Sequence, residues 1–109
     1  MNDSEETIFE IILHGGNARS LAMEAITCAK KEDFGTARKK MAEAEEELSK
    51  AHHIQTTLIQ QESGGKKLHV SLLLVHAQDH LMNAITVKDL AGEFVSLYEQ
   101  MQPTGDGAT

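Results

Sequence analysis

Leu72-Leu73-Leu74-Val75-His76-Ala77-Gln78-Asp79-His80-Leu81-Met82-Asn83-Ala84-Ile85 is the stretch on which the fold turns. At helical spacing it carries an apolar stripe that continues through the segment as Leu73, Ala77, His80, Ala84, Val87, Ala91, Phe94 and Tyr98, enough to face two neighbouring helices. A second stripe, Leu72, Val75, Asp79, Met82 and Thr86, together with Leu74, Leu81 and Ile85, leaves this half of the helix apolar nearly all round. A helix of that kind is normally buried on every side, which a lone three-helix bundle cannot supply. The spacing therefore predicts self-association.

Upstream, Phe34, Ala37, Met41, Ala44, Leu48, Ala51, Gln55 and Leu58 alternate by three and four, the heptad spacing of a second helix. Asp33 precedes it as an amino-terminal cap, and Glu62-Ser63-Gly64-Gly65 ends it. Glu43, Glu45, Glu46 and Glu47 read as its solvated face. The first helix carries Ile8, Ile11, Ile12, Ala18, Ala22, Ala25, Ile26 and Ala29 on one side. Gly15-Gly16 falls within it, where each glycine costs roughly 1 kcal/mol relative to alanine, so a kink or a close helix contact is expected there. The third helix is predicted from Lys66 to about Met101. Short connections make sequence neighbours antiparallel, so the fold class is all-α: an up-down-up three-helix bundle. One domain covers residues 1–102, and the polar tail 103–109, opening on Pro103, is expected to be disordered.

A length of 109 residues leaves no room for a second domain. With 40% hydrophobic and 25% charged residues the composition is that of a folded globular chain. A net charge of -7 disfavours nucleic acid, whose phosphates need clustered Lys and Arg. Cys28 is the only cysteine, so no internal disulfide forms; it reads as a packing thiol in a reducing cytoplasm. Asp3, Glu5 and Glu6 stand where a signal peptide would need positive charge, and the apolar run Val70–Val75 is far shorter than the roughly 20 residues that cross a bilayer. No membrane insertion is expected.

The chemistry-bearing residues gather in Val75–Met82. On a helix His76 neighbours both Asp79 and His80. Three readings fit that patch: polar core residues satisfied by hydrogen bonds; a metal site, since histidines at i and i+4 can chelate zinc, although the HExxH glutamate is lacking; or a nucleophilic histidine, because a neutral imidazole carries a lone pair near neutral pH. Spacing alone leaves all three open. His14, His52, His53 and His69 read as surface or packing residues, and Arg19 as either a phosphate contact or an ion-pair partner.

The sequence resembles the IIA component of the lactose/cellobiose-type, or diacetylchitobiose-type, sugar phosphotransferase system from Ile8 to Met101. The resemblance rests on Gly16-Asn17-Ala18-Arg19-Ser20, Asp33-Phe34, Glu47 to Gln55 around Ala51-His52, and above all Val75-His76-Ala77-Gln78-Asp79-His80-Leu81-Met82. It implies a homotrimer of three-helix subunits. It also implies a phosphocarrier that takes a phosphoryl group onto Nε2 of His76 from the phosphohistidine of the general histidine-containing phosphocarrier protein and gives it to a cysteine of a cognate IIB protein. Gln78 and His80 are then neighbours of the phosphoryl site. Asp79 falls on the threefold axis, where three carboxylates need protons or a hard cation, and oxygen ligands favour Mg2+ over zinc.

Overall fold

Two joints turn the chain through three helices. In the computed structural model, which describes residues 3–102, α1 spans Asp3–Lys30, α2 Phe34–Ser63 and α3 Leu72–Gln100, with no strand among the described residues. At the first joint Glu32 takes a left-handed φ of 66°, which turns the Asp33 N–H back to the Cys28 carbonyl at 3.0 Å. The same carbonyl also accepts from the Lys31 N–H at 3.1 Å, so two turn N–H groups close the end of α1. The Asp33 carboxylate accepts from the Thr36 N–H at 3.3 Å and caps α2, as its sequence position predicts.

The second joint departs from the sequence expectation. α2 does end at the glycine pair, where Gly65 adopts a φ of 102°. Residues 66–71, however, are not helical, and α3 starts at Leu72 instead of Lys66. The cause is Ser71: in an extended conformation its hydroxyl accepts from the Leu74 N–H at 3.1 Å, so it caps the helix from outside. The helix end near Met101 matches expectation; the tail 103–109 lies outside the described residues.

α1 lies against both other helices along its length, while α2 and α3 meet over a much smaller area. The bundle is a rod of 63 × 24 × 18 Å. Its core is built mostly from alanine: Ala18, Ala22, Ala25 and Ala29 of α1 meet Ala37, Ala44 and Ala51 of α2 and Ala77, Ala84 and Ala91 of α3, all buried. Ile11 and Leu81 are the largest fully buried side chains. α1 runs unbroken through Gly15-Gly16, so the pair serves a close helix contact and makes no break in the helix. A Cβ on Gly15 would lie 3.7 Å from the Leu81 Cα. Cys28 is half-buried and packs against the Ala25, Ala29 and Ala37 cluster.

The seam of α3 keeps Ala77, Ala84 and Ala91 of the predicted stripe and departs from it at its neighbours. Leu81, assigned to the surplus surface, is fully buried, and Phe94, assigned to the core, is exposed; Ala77, Leu81, Ala84, Ala91 and Val95 form the buried line. Both stripes are apolar, and only the position of α1 decides which one is covered. Polar ties join α2 to α3: Gln55 Nε2 donates to Gln78 Oε1 at 2.5 Å, and Lys88 pairs with Glu45 and Arg38 with Glu99.

Glu47 corrects the reading of the acidic run as a solvated face. Its Oε1 accepts from His14 Nδ1 at 3.0 Å and from Asn17 Nδ2 at 2.8 Å, and its Oε2 pairs with Lys50 at 3.0 Å. The His14 hydrogen bond above all, then those from Asn17 and Lys50, holds its carboxyl down at about 2. These bonds stabilise the ionised form. A depressed folded-state pKa contributes stability that is full above the ordinary value of 4.5 and is lost as pH falls toward 2. Glu47→Ala is expected to lower unfolding free energy by about 1.5–3 kcal/mol at pH 7. In denaturant melts the gap between wild type and variant should close between pH 4.5 and 2; a gap independent of pH would refute the assignment.

Candidate functional site

The Ser71 cap fixes where α3 begins, and His76 follows in the second turn on rigid helix. Its side chain is exposed, beside a shallow apolar depression of about 470 Å³ formed with Leu72 and Leu73. One turn on, at i+4, the His80 ring lies nearly parallel to it, with centroids 5.9 Å apart and planes 17° apart, within the range in which aromatic rings interact. His80 itself is half-buried and rests against Gly15 and Gly16 of α1.

The four residues singled out from sequence therefore divide among three surroundings. His76 and His80 form a ring pair at the rim between α1 and α3. Gln78 is half-buried toward α2, where Gln55 takes its carbonyl oxygen. Asp79 is exposed on another side of α3, within 3.4 Å of the Asn83 amide nitrogen, which donates to it. Exposed Val75 and Met82 lie on the same face and line, with Asp79, Ile59 and Val70, a groove of about 470 Å³. Among the described residues no group of three or more His, Cys, Asp or Glu converges to hold a metal within one subunit. An accessible imidazole with a second imidazole stacked beside it can attack, and later release, an electrophile carried by another macromolecule.

The family model described as "PTS system, Lactose/Cellobiose specific IIA subunit" matches residues 6–99. The chain belongs to this family. The lichenan-specific phosphotransferase enzyme IIA component of Bacillus subtilis is 64% identical over 102 residues, covering 93% of each chain. The crystal structure of the cellobiose-specific enzyme IIA from Bacillus anthracis superposes with a TM-score of 0.92 at 51% identity, covering 96% of each chain. A solution structure of the IIA(chitobiose)–HPr complex from the N,N'-diacetylchitobiose branch of the Escherichia coli system matches with a TM-score of 0.80 at 40% identity, covering 93% of this chain and 98% of that one. The protein is thus a sugar-specific IIA component of a phosphotransferase system, and no helix among its described residues is long and apolar enough to cross a membrane.

The remaining histidines of this IIA chain lie outside the His76–His80 pair. His52, His53 and His69 are exposed, and His52 lines a groove between α2 and α3 near Lys88 and Asp89. Arg19 is exposed and makes no ion pair among the described residues. His14 is the exception, tied to Glu47. Sequence reasoning missed the Gln55–Gln78 bond, although Gln55 occupies a core position of the α2 heptad, where a polar residue calls for a partner. Gln78→Ala removes that tie across the sparsely packed α2–α3 contact and should lower stability by about 1 kcal/mol, read as a lower urea midpoint; an unchanged midpoint would show that the bond is immaterial.

Proposed function

We propose that His76 is the phosphoryl acceptor and donor of this IIA component. The observation that carries the reading is the exposed His76 imidazole on rigid helix, with the His80 ring beside it. Nε2 of neutral His76 attacks the phosphorus of the donor's phosphohistidine, the new N–P bond forms as the old one breaks, and the electron pair returns to the donor's imidazole. In the second half-reaction a cysteine thiolate of the cognate IIB protein attacks the same phosphorus and the pair returns to Nε2. Neither step needs a strong base, and both rest on positioning and charge stabilisation of the moving group. The E. coli IIA(chitobiose)–HPr complex supports a histidine-containing phosphocarrier as the donor.

His80 and Gln78 neighbour the phosphoryl site in this scheme. His80 restrains the attacking ring and can donate a hydrogen bond to a phosphoryl oxygen. Gln78, its carbonyl engaged by Gln55, keeps an amide N–H2 for a docked partner or an adjacent subunit. The carrier serves disaccharide uptake and works in the cytoplasm; its relatives carry lichenan, cellobiose and N,N'-diacetylchitobiose in their names, and the choice of sugar lies with the membrane-embedded component.

The working form is a homotrimer joined along α3. Leu72, Val75, Met82, Leu90 and Leu97 are all at least half exposed, Leu72 at 84%, and Asp79 shares their face; Leu97 lies about five turns beyond Asp79 in line with it. So long an apolar stripe needs a cover, and three parallel copies of α3 provide one. Each copy then brings one Asp79 carboxylate to the axis. Three oxygen donors from three chains suit Mg2+, which keeps water for its remaining positions. When bound, that ion would balance the carboxylate charge.

Incubation with the phosphoenolpyruvate-driven general enzymes should label the wild-type chain with acid-labile phosphate, and His76→Ala should take none; labelling of that variant at the wild-type level refutes the acceptor. Separately, Asp79→Leu is expected to keep or tighten the trimer in sedimentation, because it replaces a repelling ring by apolar contact. Its dissociation to monomers would instead show that assembly depends on the ion.

A further inference from the structure

The two glycines of α1 are not required by the backbone in which they sit. Regular helix runs through Gly15 and Gly16, where alanine would be favoured by roughly 1 kcal/mol at each position. Both positions instead abut one ring. A Cβ on Gly16 would lie 3.2 Å from His80 Nε2 and 4.0 Å from its Cε1, and a Cβ on Gly15 would lie 3.4 Å from its Cδ2. One edge of the His80 imidazole thus rests directly on the α1 backbone. Gly35 of α2 provides the contrast: a Cβ there meets nothing within 4 Å.

We propose that Gly15 and Gly16 are positioning residues, a niche on α1 that seats the His80 ring and through it orients the exposed His76 imidazole for phosphoryl transfer. The inference rests on His76 being the phosphoryl acceptor. An exposed histidine on a helix can occupy several χ1 and χ2 wells. The nearly parallel His80 ring, 5.9 Å away, restricts them only if it is itself held, and α1 holds it because glycine lets the backbone come that close. A methyl at Gly16 would press on Nε2 at a separation below ordinary van der Waals contact and move the ring by a few tenths of an ångström. Group transfer is sensitive to such displacements, since a misplacement of about 1 Å costs on the order of a hundredfold in rate.

The test compares Gly16→Ala, Gly15→Ala and the control Gly35→Ala, with Gly16→Ala repeated in a His80→Ala background. Imidazole NMR signals of His76 and His80 report ring placement, and the rate of phosphoryl uptake from the phosphorylated donor reports its consequence. Gly16→Ala should shift both rings' signals, slow uptake by about tenfold and leave the melting temperature no lower than wild type. Gly15→Ala, with its looser contact, should shift the same signals less, and it remains readable should Gly16→Ala fail to fold. Gly35→Ala should change neither signals nor rate. In the His80→Ala background Gly16→Ala should cause no further slowing; an equal slowing there would place the effect in the helix backbone and overturn the proposal. Ring signals left in place by the glycine substitutions overturn it as well, whether or not His76 carries phosphate. A wild-type chain that takes no phosphate on His76 refutes the acceptor reading by itself.

Discussion

The contact between α1 and its two neighbours has little room for larger side chains. Among the described residues ten of the fifteen buried apolar side chains are alanine, and glycine stands where α1 meets His80 and Leu81. Helix axes approach to the short end of the usual range of about 8–10 Å only when the side chains between them are this small. Alanine and glycine line the faces along which α1 packs on both neighbours, while α2 and α3 meet only sparsely, and the edge of His80 lies against bare backbone. The placement of His76 follows from it: a residue one turn before a wedged neighbour, on a helix whose start is set by the Ser71 cap.

An alanine core also has an energetic consequence. Each buried methyl removes little apolar area from water, and stabilisation scales with that area, so the subunit depends on added polar ties. They span the helix pairs unequally. Glu47 gathers His14 and Asn17 from α1 and Lys50 from its own helix, while Gln55–Gln78, Glu45–Lys88 and Arg38–Glu99 join α2 to α3. The apolar side chains that would normally fill a core instead line the outside of α3, where a further copy of the chain can bury them. Folding of the subunit and assembly of the proposed trimer thus divide one helix between them, with Leu81 turned inward and Val75, Met82 and Leu90 outward.

A phosphocarrier needs its nucleophile both oriented and reachable by two different proteins. Deep burial would orient the ring and block the partners; a free surface histidine would do the reverse. In the proposed role of His76, the His76–His80 pair meets both needs by separating them: the half-buried His80 ring rests against α1, and the exposed His76 ring lies nearly parallel beside it.

Three helices, the Asp33 cap, the break at Gly64-Gly65 and the His76–His80 adjacency were all legible in the order of residues, because each depends on interactions within a few positions of chain: periodicity, capping and i, i+4 spacing. The start of α3 was less legible, since an apolar run that favours helix hides a serine that caps it. Whether Leu81 or Phe94 is buried, why Glu47 differs from Glu45 and Glu46, and what the glycine pair of α1 accommodates were decided only by the tertiary structure. Each turns on groups from separate helices, thirty or more residues apart in the chain, and local spacing carries no information about which distant side chain fills the remaining space.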